Sequence, residues 1–279
     1  MFHYDRWTQK EEIKLITSIS LNLLKEDGTI YLLSSYGLLT KDIFEAYSKQ
    51  DYSKLKNKIY YTVIQPEYRA KRRLLYRQLD IFQDYIFMID SAILSFYQNN
   101  FLCAYFTLVP VIEGLLRKWS KNPHFKISKN MKDFLRKKTN EIYKVHPSSD
   151  LWLINNLILI RKVANYYFRH SDYCPKGFAL NRHIPAHLLR SPSYIQSISN
   201  FIKLLNFIDL IAEVNSYEYD FGTPKSVKVS EGCYESLYDY EITGEKEKID
   251  YAKLLSNSQN FSIMIKLVKL YDEYKFKIS

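Results

Sequence analysis

The sequence predicts a mainly α-helical bundle, on three observations. Gly and Pro number only 7 and 8 in 279 residues, too few for the tight turns of an all-β sandwich. Apolar residues recur at steps of three and four in several long stretches, the spacing of one helix face. Capping residues and helix breakers separate those stretches. The apolar fraction of 47% is ample for a buried core, and at about 150 residues per domain the length allows roughly two domains.

Residues 1–77 form a helical N-terminal region. Thr8-Gln9-Lys10-Glu11 fits a capping box ahead of Ile13, Ile16, Ile19 and Leu23, and Glu26-Asp27-Gly28 ends that helix. Ile30-Tyr31-Leu32-Leu33 fits either a short strand or a buried turn. Thr40 caps a second helix bearing Ile43, Phe44 and Tyr47, and Gln65-Pro66 breaks the pattern. Arg69, Lys71, Arg72, Arg73 and Arg77 then place five cations in nine residues. The expectation is a solvated helix face, with a phosphate rail as the functional alternative.

Two long helical segments follow over 78–120. Leu79, Phe82, Ile86, Ile89, Ile93 and Phe96 line the first, and Gln98-Asn99-Asn100 interrupts it. The second runs from Phe101 to Trp119, is kinked at Pro110, and carries Glu113 and Arg117 in the i, i+4 order that pairs well. Residues 121–149 are polar and basic, and read as a short helix between two loops. Ser148-Ser149-Asp150 caps a helix over 151–168. Arg169-His170 opens a loop marked by Pro175 and Gly177. Ser191-Pro192 starts a helix bearing Ile195, Ile198, Ile202, Leu205 and Ile208, which ends near Val214. Residues 215–279 form a small mixed C-terminal region, with a weak hairpin pattern at Val227–Val229 and Tyr238–Ile242 and a helical pattern over 251–276.

Lys and Arg outnumber Asp and Glu by 40 to 30, a net charge of +10, which points to a polyanionic partner. The three cysteines, Cys103, Cys174 and Cys233, are far apart, so neither a disulfide framework nor a zinc site is expected. The N-terminal residues carry no apolar run of the signal-peptide kind, and no stretch of about 18 apolar residues exists to span a membrane. The expected location is cytoplasmic, with no membrane contact.

The chemistry concentrates in Asn181-Arg182-His183-Ile184-Pro185-Ala186-His187, which holds two of the six histidines beside an arginine. RNA carries its own nucleophile, the 2′-OH. Cutting it needs a base, an acid and positive charge on the phosphorane. His183 and His187 supply imidazoles that exchange protons near neutral pH, and Arg182 supplies a planar fork for phosphate. The plain alternative is a surface loop in which Arg and His merely cluster. A metal is not expected, because Pro185 disturbs the i, i+4 geometry of His183 and His187 and no Cys or Asp flanks them. No cofactor motif is present: there is no Gly-rich phosphate loop, no G-x-S-x-G elbow and no H-E-x-x-H.

The window Leu180–His187 resembles the Arg-polar-x3-His motif of the HEPN-domain superfamily, with Arg182, His183 and His187 at its three positions. Leu108–Arg117 is similar to the acidic helix that precedes that motif, with Glu113 as the acidic residue. The resemblance covers 78–214. It departs at Leu188, where many members carry Gly, and at His183, where Asn or Asp is commoner. It implies an up-and-down core of four to five helices over 78–214, and a homodimer whose two motifs share one active site. It implies a metal-independent endoribonuclease of phage defence or of a toxin–antitoxin system, cutting tRNA, rRNA or mRNA, with an antitoxin or sensor protein as a further partner. Arg182, His187, His183 and Glu113 are the candidate catalytic residues. Asn181, Arg117, Arg169, His170 and Lys176 are the candidate RNA contacts. The alternative is a non-catalytic HEPN-like module that binds nucleotide, RNA or protein in a defence system.

Overall fold

The structure is a computed structural model and describes residues 9–32, 41–64, 66–97, 99–122, 127–146, 151–169 and 197–219. Among these residues there is no strand. The regular elements are α1 (Gln9–Asp27), α2 (Lys41–Ser48), α3 (Tyr52–Ile64), α4 (Pro66–Arg77), a 3-10 turn (Asp80–Phe82), α5 (Ile86–Tyr97), α6 (Phe101–Ser120), α7 (Ile127–Val145), α8 (Leu151–Tyr167) and α9 (Ile198–Ser216). The fold is therefore a mainly α helical bundle.

Local chemistry sets several of these ends. Gly28 follows α1 at φ 86° and donates to the Leu24 carbonyl, a left-handed cap that glycine adopts without strain. α4 begins on Pro66, where the missing N–H costs nothing. Asn100 caps α6 by accepting from the Cys103 amide at 3.2 Å. Pro110 lies on the exposed side of α6, where water reaches the carbonyl it leaves without a donor.

Three sequence expectations change. The stripe from Leu79 to Phe96 is not one helix: a 3-10 turn comes first and α5 starts at Ile86. The Gln83 side chain donates to the Arg77 and Leu79 carbonyls and ties off the chain there. The polar stretch after α6 is a 19-residue helix, α7, rather than a short one. Its Met131, Leu135 and Ile142 are buried while Lys132, Arg136 and Lys137 are exposed, so an amphipathic face lies behind the basic composition. The last helix of the described bundle starts at Ile198, because Ser197 is extended (φ −124°) and caps it by accepting from the Asn200 amide. Ser191-Pro192, Thr40, Ser148–Asp150 and the patterns read within 220–279 lie outside the described residues.

α9 is the centre. It packs against α3, α4, α6 and α8, and every residue from Asn200 to Tyr217 is buried. α5 and α7 pack on α6, and α1 on α8. One apolar core runs from Ile16 to Tyr217 and continues across the position between residues 77 and 78. Ile30–Leu32 is neither strand nor helix but a buried segment. Its carbonyls are met by side chains: Asn206 Nδ2 donates to Ile30 at 2.9 Å, and Ser20 Oγ to Tyr31 at 3.0 Å. Among the described residues, no helix is long and apolar enough to cross a membrane.

Replacing Asn206 by Ala removes the donor to a buried carbonyl. The expected cost is about 1–3 kcal/mol, read as a lower urea midpoint at unchanged slope.

Candidate functional site

Of the nine candidate residues, Arg182, His183, His187, Asn181, His170 and Lys176 lie outside the described residues. The other three are placed. Glu113 is half-buried on α6, Arg117 is exposed one turn on, and Arg169 is exposed just past α8. The Arg117 side chain is in water, where the Glu113–Arg117 pair expected from their spacing gains little. Beside Glu113, Gly114 leaves room for the Tyr85 ring, whose Cε1 lies 2.6 Å from where a Cβ would sit.

The end of α8 lies close to this part of α6. Tyr167 is buried, its hydroxyl donates to the Val109 carbonyl at 3.3 Å, and its ring meets Phe207 of α9 edge-on. Val109 precedes Glu113 by one helical turn, a rise of about 6 Å. The chain that leaves α8 here carries residues 170–196 and returns at Ser197, the cap of α9.

The main concentration of charge among the described residues is elsewhere, in a network missed by the sequence reading. Asp209, fully buried in α9, accepts from Arg69 Nη2 at 2.6 Å, Arg72 Nε at 3.1 Å and the Tyr76 hydroxyl. Tyr68 Oη approaches from 3.5 Å. Arg72 also reaches the Asp209 carbonyl at 2.7 Å and the Glu213 carboxylate one turn along. Arg73 pairs with Asp90 of α5 at 3.0 Å. Arg69, Arg72 and Arg73 are each at most 6% exposed, so the solvated α4 face expected for them is corrected, and the phosphate rail with it. Carboxylates on α9 and α5 draw these arginines inward and occupy them, so no solvent-borne phosphate reaches them.

The charged states follow from this geometry. Burial alone would raise the Asp209 carboxyl, but the Arg69 and Arg72 charges and the hydrogen bonds from Arg69 and Tyr76 hold it below its usual range. Burial pulls the two guanidinium groups down, yet Asp209 together with Tyr76 and Tyr68, and Glu213 in the case of Arg72, outweighs it and they end above theirs. Burial and the Asp209 charge together push the Tyr76 phenol well up. All four groups keep one charge state near neutrality, which fits a structural network and not proton transfer. A signal was present in the sequence: Asn206, Asp209 and Glu213 sit at steps of three and four within a largely apolar helix, matching Arg69, Arg72 and Tyr76 on α4.

Among the described residues, no group of three or more His, Cys, Asp or Glu is placed to hold a metal ion. Compared with protein-family models, curated proteins and solved structures, the chain matches none.

Asp209→Ala leaves two arginines buried without their carboxylate, and is expected to cost about 3–5 kcal/mol, measured by chemical denaturation. The pH response has a definite sign. A carboxyl whose folded pKa lies below its unfolded value of about 3.9 stabilises fully above that value. The stability is lost as pH falls through the folded pKa. Thermal melts should therefore drop below about pH 4 in the wild type, and this part of the drop should be absent in Asp209→Asn.

Proposed function

We propose that the chain is a metal-independent endoribonuclease whose reacting groups are Arg182, His183 and His187, acting in phage defence or a toxin–antitoxin system. One histidine takes the proton of a ribose 2′-OH as it attacks the adjacent phosphorus. Arg182 holds the phosphorane oxygens. The other histidine protonates the departing 5′ oxygen, leaving a 2′,3′-cyclic phosphate and a 5′-OH. Glu113 orients Arg182 or His187.

The observation that carries this reading is the Tyr167–Val109 bond. It holds the end of α8, from which the window-bearing segment departs, one turn from Glu113, the acidic residue that the resemblance pairs with the motif. The helical bundle agrees with the same resemblance. Internal neutralisation of Arg69, Arg72 and Arg73 supports it from another side, because these three cations of α4 are not available as a competing phosphate site. Two protomers then share one cleft, and an antitoxin or sensor protein restrains or triggers the activity.

Purified protein should cleave single-stranded regions of RNA in EDTA and leave cyclic phosphate ends. Arg182→Ala and His187→Ala should each lower the rate by about 100- to 10,000-fold, and the wild-type rate should be bell-shaped in pH around the imidazole range, about 6.5. Full activity in both variants refutes the proposal. RNA binding by the wild type without cleavage would leave a binding module in its place.

A further inference from the structure

We propose that the outward stripe Lys132–Arg136–Tyr143 of α7, with Arg161 of α8 beside it, is the surface on which the backbone of single-stranded RNA is laid. This rests on the reading of the chain as an RNA-cutting protein, and assigns where the strand is held outside the reacting window.

The first observation is register. At 3.6 residues per turn, Lys132, Arg136 and Tyr143 fall within about 40° of one another around α7, spread over about 16 Å of its length. All three are exposed, Tyr143 by 47%. The buried face of the helix, Met131, Leu135 and Ile142, fixes this stripe outward.

The second is an arginine held ready without a carboxylate. Arg161 Nη2 donates to Asn140 Oδ1 at 2.6 Å and to the Arg136 carbonyl at 3.4 Å, and its Nε to Thr139 Oγ1. These acceptors are neutral, and among the described residues no Asp or Glu pairs with Arg161. Burial, together with the charge of Arg136 on the facing turn, holds Arg161 below its usual pKa. Among the described residues the Arg136 side chain pairs with Asp133 alone, at 3.6 Å, with both side chains more than 70% exposed, a pair that salt and water weaken. The other carboxylate of this helix, Glu141, is turned to the opposite flank, where it meets Lys137 and Lys138 at 3.9 and 3.7 Å. Folding alone gains little from collecting like charges on one face; a phosphate chain laid along them relieves the repulsion.

The third is Tyr143. A half-exposed ring on a cationic stripe is a stacking platform for an unpaired base. Charge alone would suit an acidic protein or an anionic lipid surface as well; a ring set among cations also matches the alternation of base and phosphate along a single strand, which favours single-stranded RNA.

The test uses the full chain carrying His187→Ala, so that RNA is not consumed, and a fluorescein-labelled single-stranded RNA read by anisotropy against salt. Lys132→Gln/Arg136→Gln/Arg161→Gln should weaken binding at least tenfold and flatten the salt dependence by about 2 log units per log unit, at ~0.7 per phosphate contact. Lys25→Gln/Lys49→Gln/Lys54→Gln removes the same charge from exposed sites on α1, after α2 and on α3 and should change binding less than twofold. Since Arg161 also joins α7 to α8, Lys132→Gln/Arg136→Gln, which touches no such bond, should reproduce most of the loss. Tyr143→Ala should cost about fivefold or more. Equal binding by the stripe and control variants overturns the proposal, as does wild-type binding to phosphatidylserine vesicles in preference to RNA. Without His187→Ala, an unchanged KM for cleavage in the stripe variant overturns this surface while leaving the nuclease intact. Stripe-dependent binding with no cleavage by the wild type does the reverse.

Discussion

A carboxylate shut away from water in the central helix decides how this bundle is assembled. Removing an ion from water costs several kcal/mol even after the protein relaxes, so Asp209 is tolerable only where partners converge on it. They come from one face of α4, where Arg69, Arg72 and Tyr76 sit at steps of three and four and reach the same side chain. Glu213, one turn on, takes the free end of Arg72. Sliding α4 by one residue along α9 would leave at least two of these charges buried and unpaired. An apolar replacement of the whole network would cost little in net stability. What the network imposes is register, between two elements more than 130 residues apart in sequence.

That allocation of charge changes what the basic composition means. A net charge of +10 is not spread over interchangeable cations. Arg69, Arg72 and Arg73 are neutralised inside the fold. Lys138 is drawn to Glu218, whose other oxygen takes the Trp119 indole N–H, so that α6, α7 and the end of α9 meet at one carboxylate. Lys132 and Arg161 have no such partner among the described residues, and Arg136 has only an exposed one. The potential that a polyanion meets therefore owes little to Arg69, Arg72 and Arg73, although they belong to the densest cationic run in the sequence.

Helices were legible wherever an apolar stripe was continuous and its end chemically plain, as at Gly28; Pro66 and Asn100, legible only as breaks, open α4 and cap α6. The reading failed where a side chain acted at long range. Nothing local distinguishes an arginine bound for water from one bound for a carboxylate on another helix, so the α4 run looked solvated. The carboxylates were readable from their own end, since Asp209 and Glu213 are the only acidic residues of a largely apolar helix and stand one turn apart. α7 was under-read for a related reason: its cations dominate the composition, while Met131, Leu135 and Ile142, which hold it down, are few and widely spaced. The split between the 3-10 turn and α5 was hidden because both segments keep the same apolar spacing, and only the hydrogen bonds of Gln83 separate them. Of the candidate site, the residue types were legible but their convergence was not: base, acid and cation can be named from a short window, whereas which groups meet depends on elements far away in the chain.

Acid–base chemistry on RNA asks for atoms held to a fraction of an ångström, and a connection between helices meets that demand only if its ends are fixed. Both ends of the segment that bears Arg182, His183 and His187 are fixed here. Tyr167 and Phe168 are buried where α8 finishes, with the Tyr167 hydroxyl on α6 and its ring against Phe207. Ser197 closes the other end by capping α9, the helix whose register Asp209 sets. Packing of α8 on α9 joins the two ends through one core, so a disturbance at Asp209 reaches both. The buried network touches no substrate, yet the placement of any group carried between Arg169 and Ser197 depends on it.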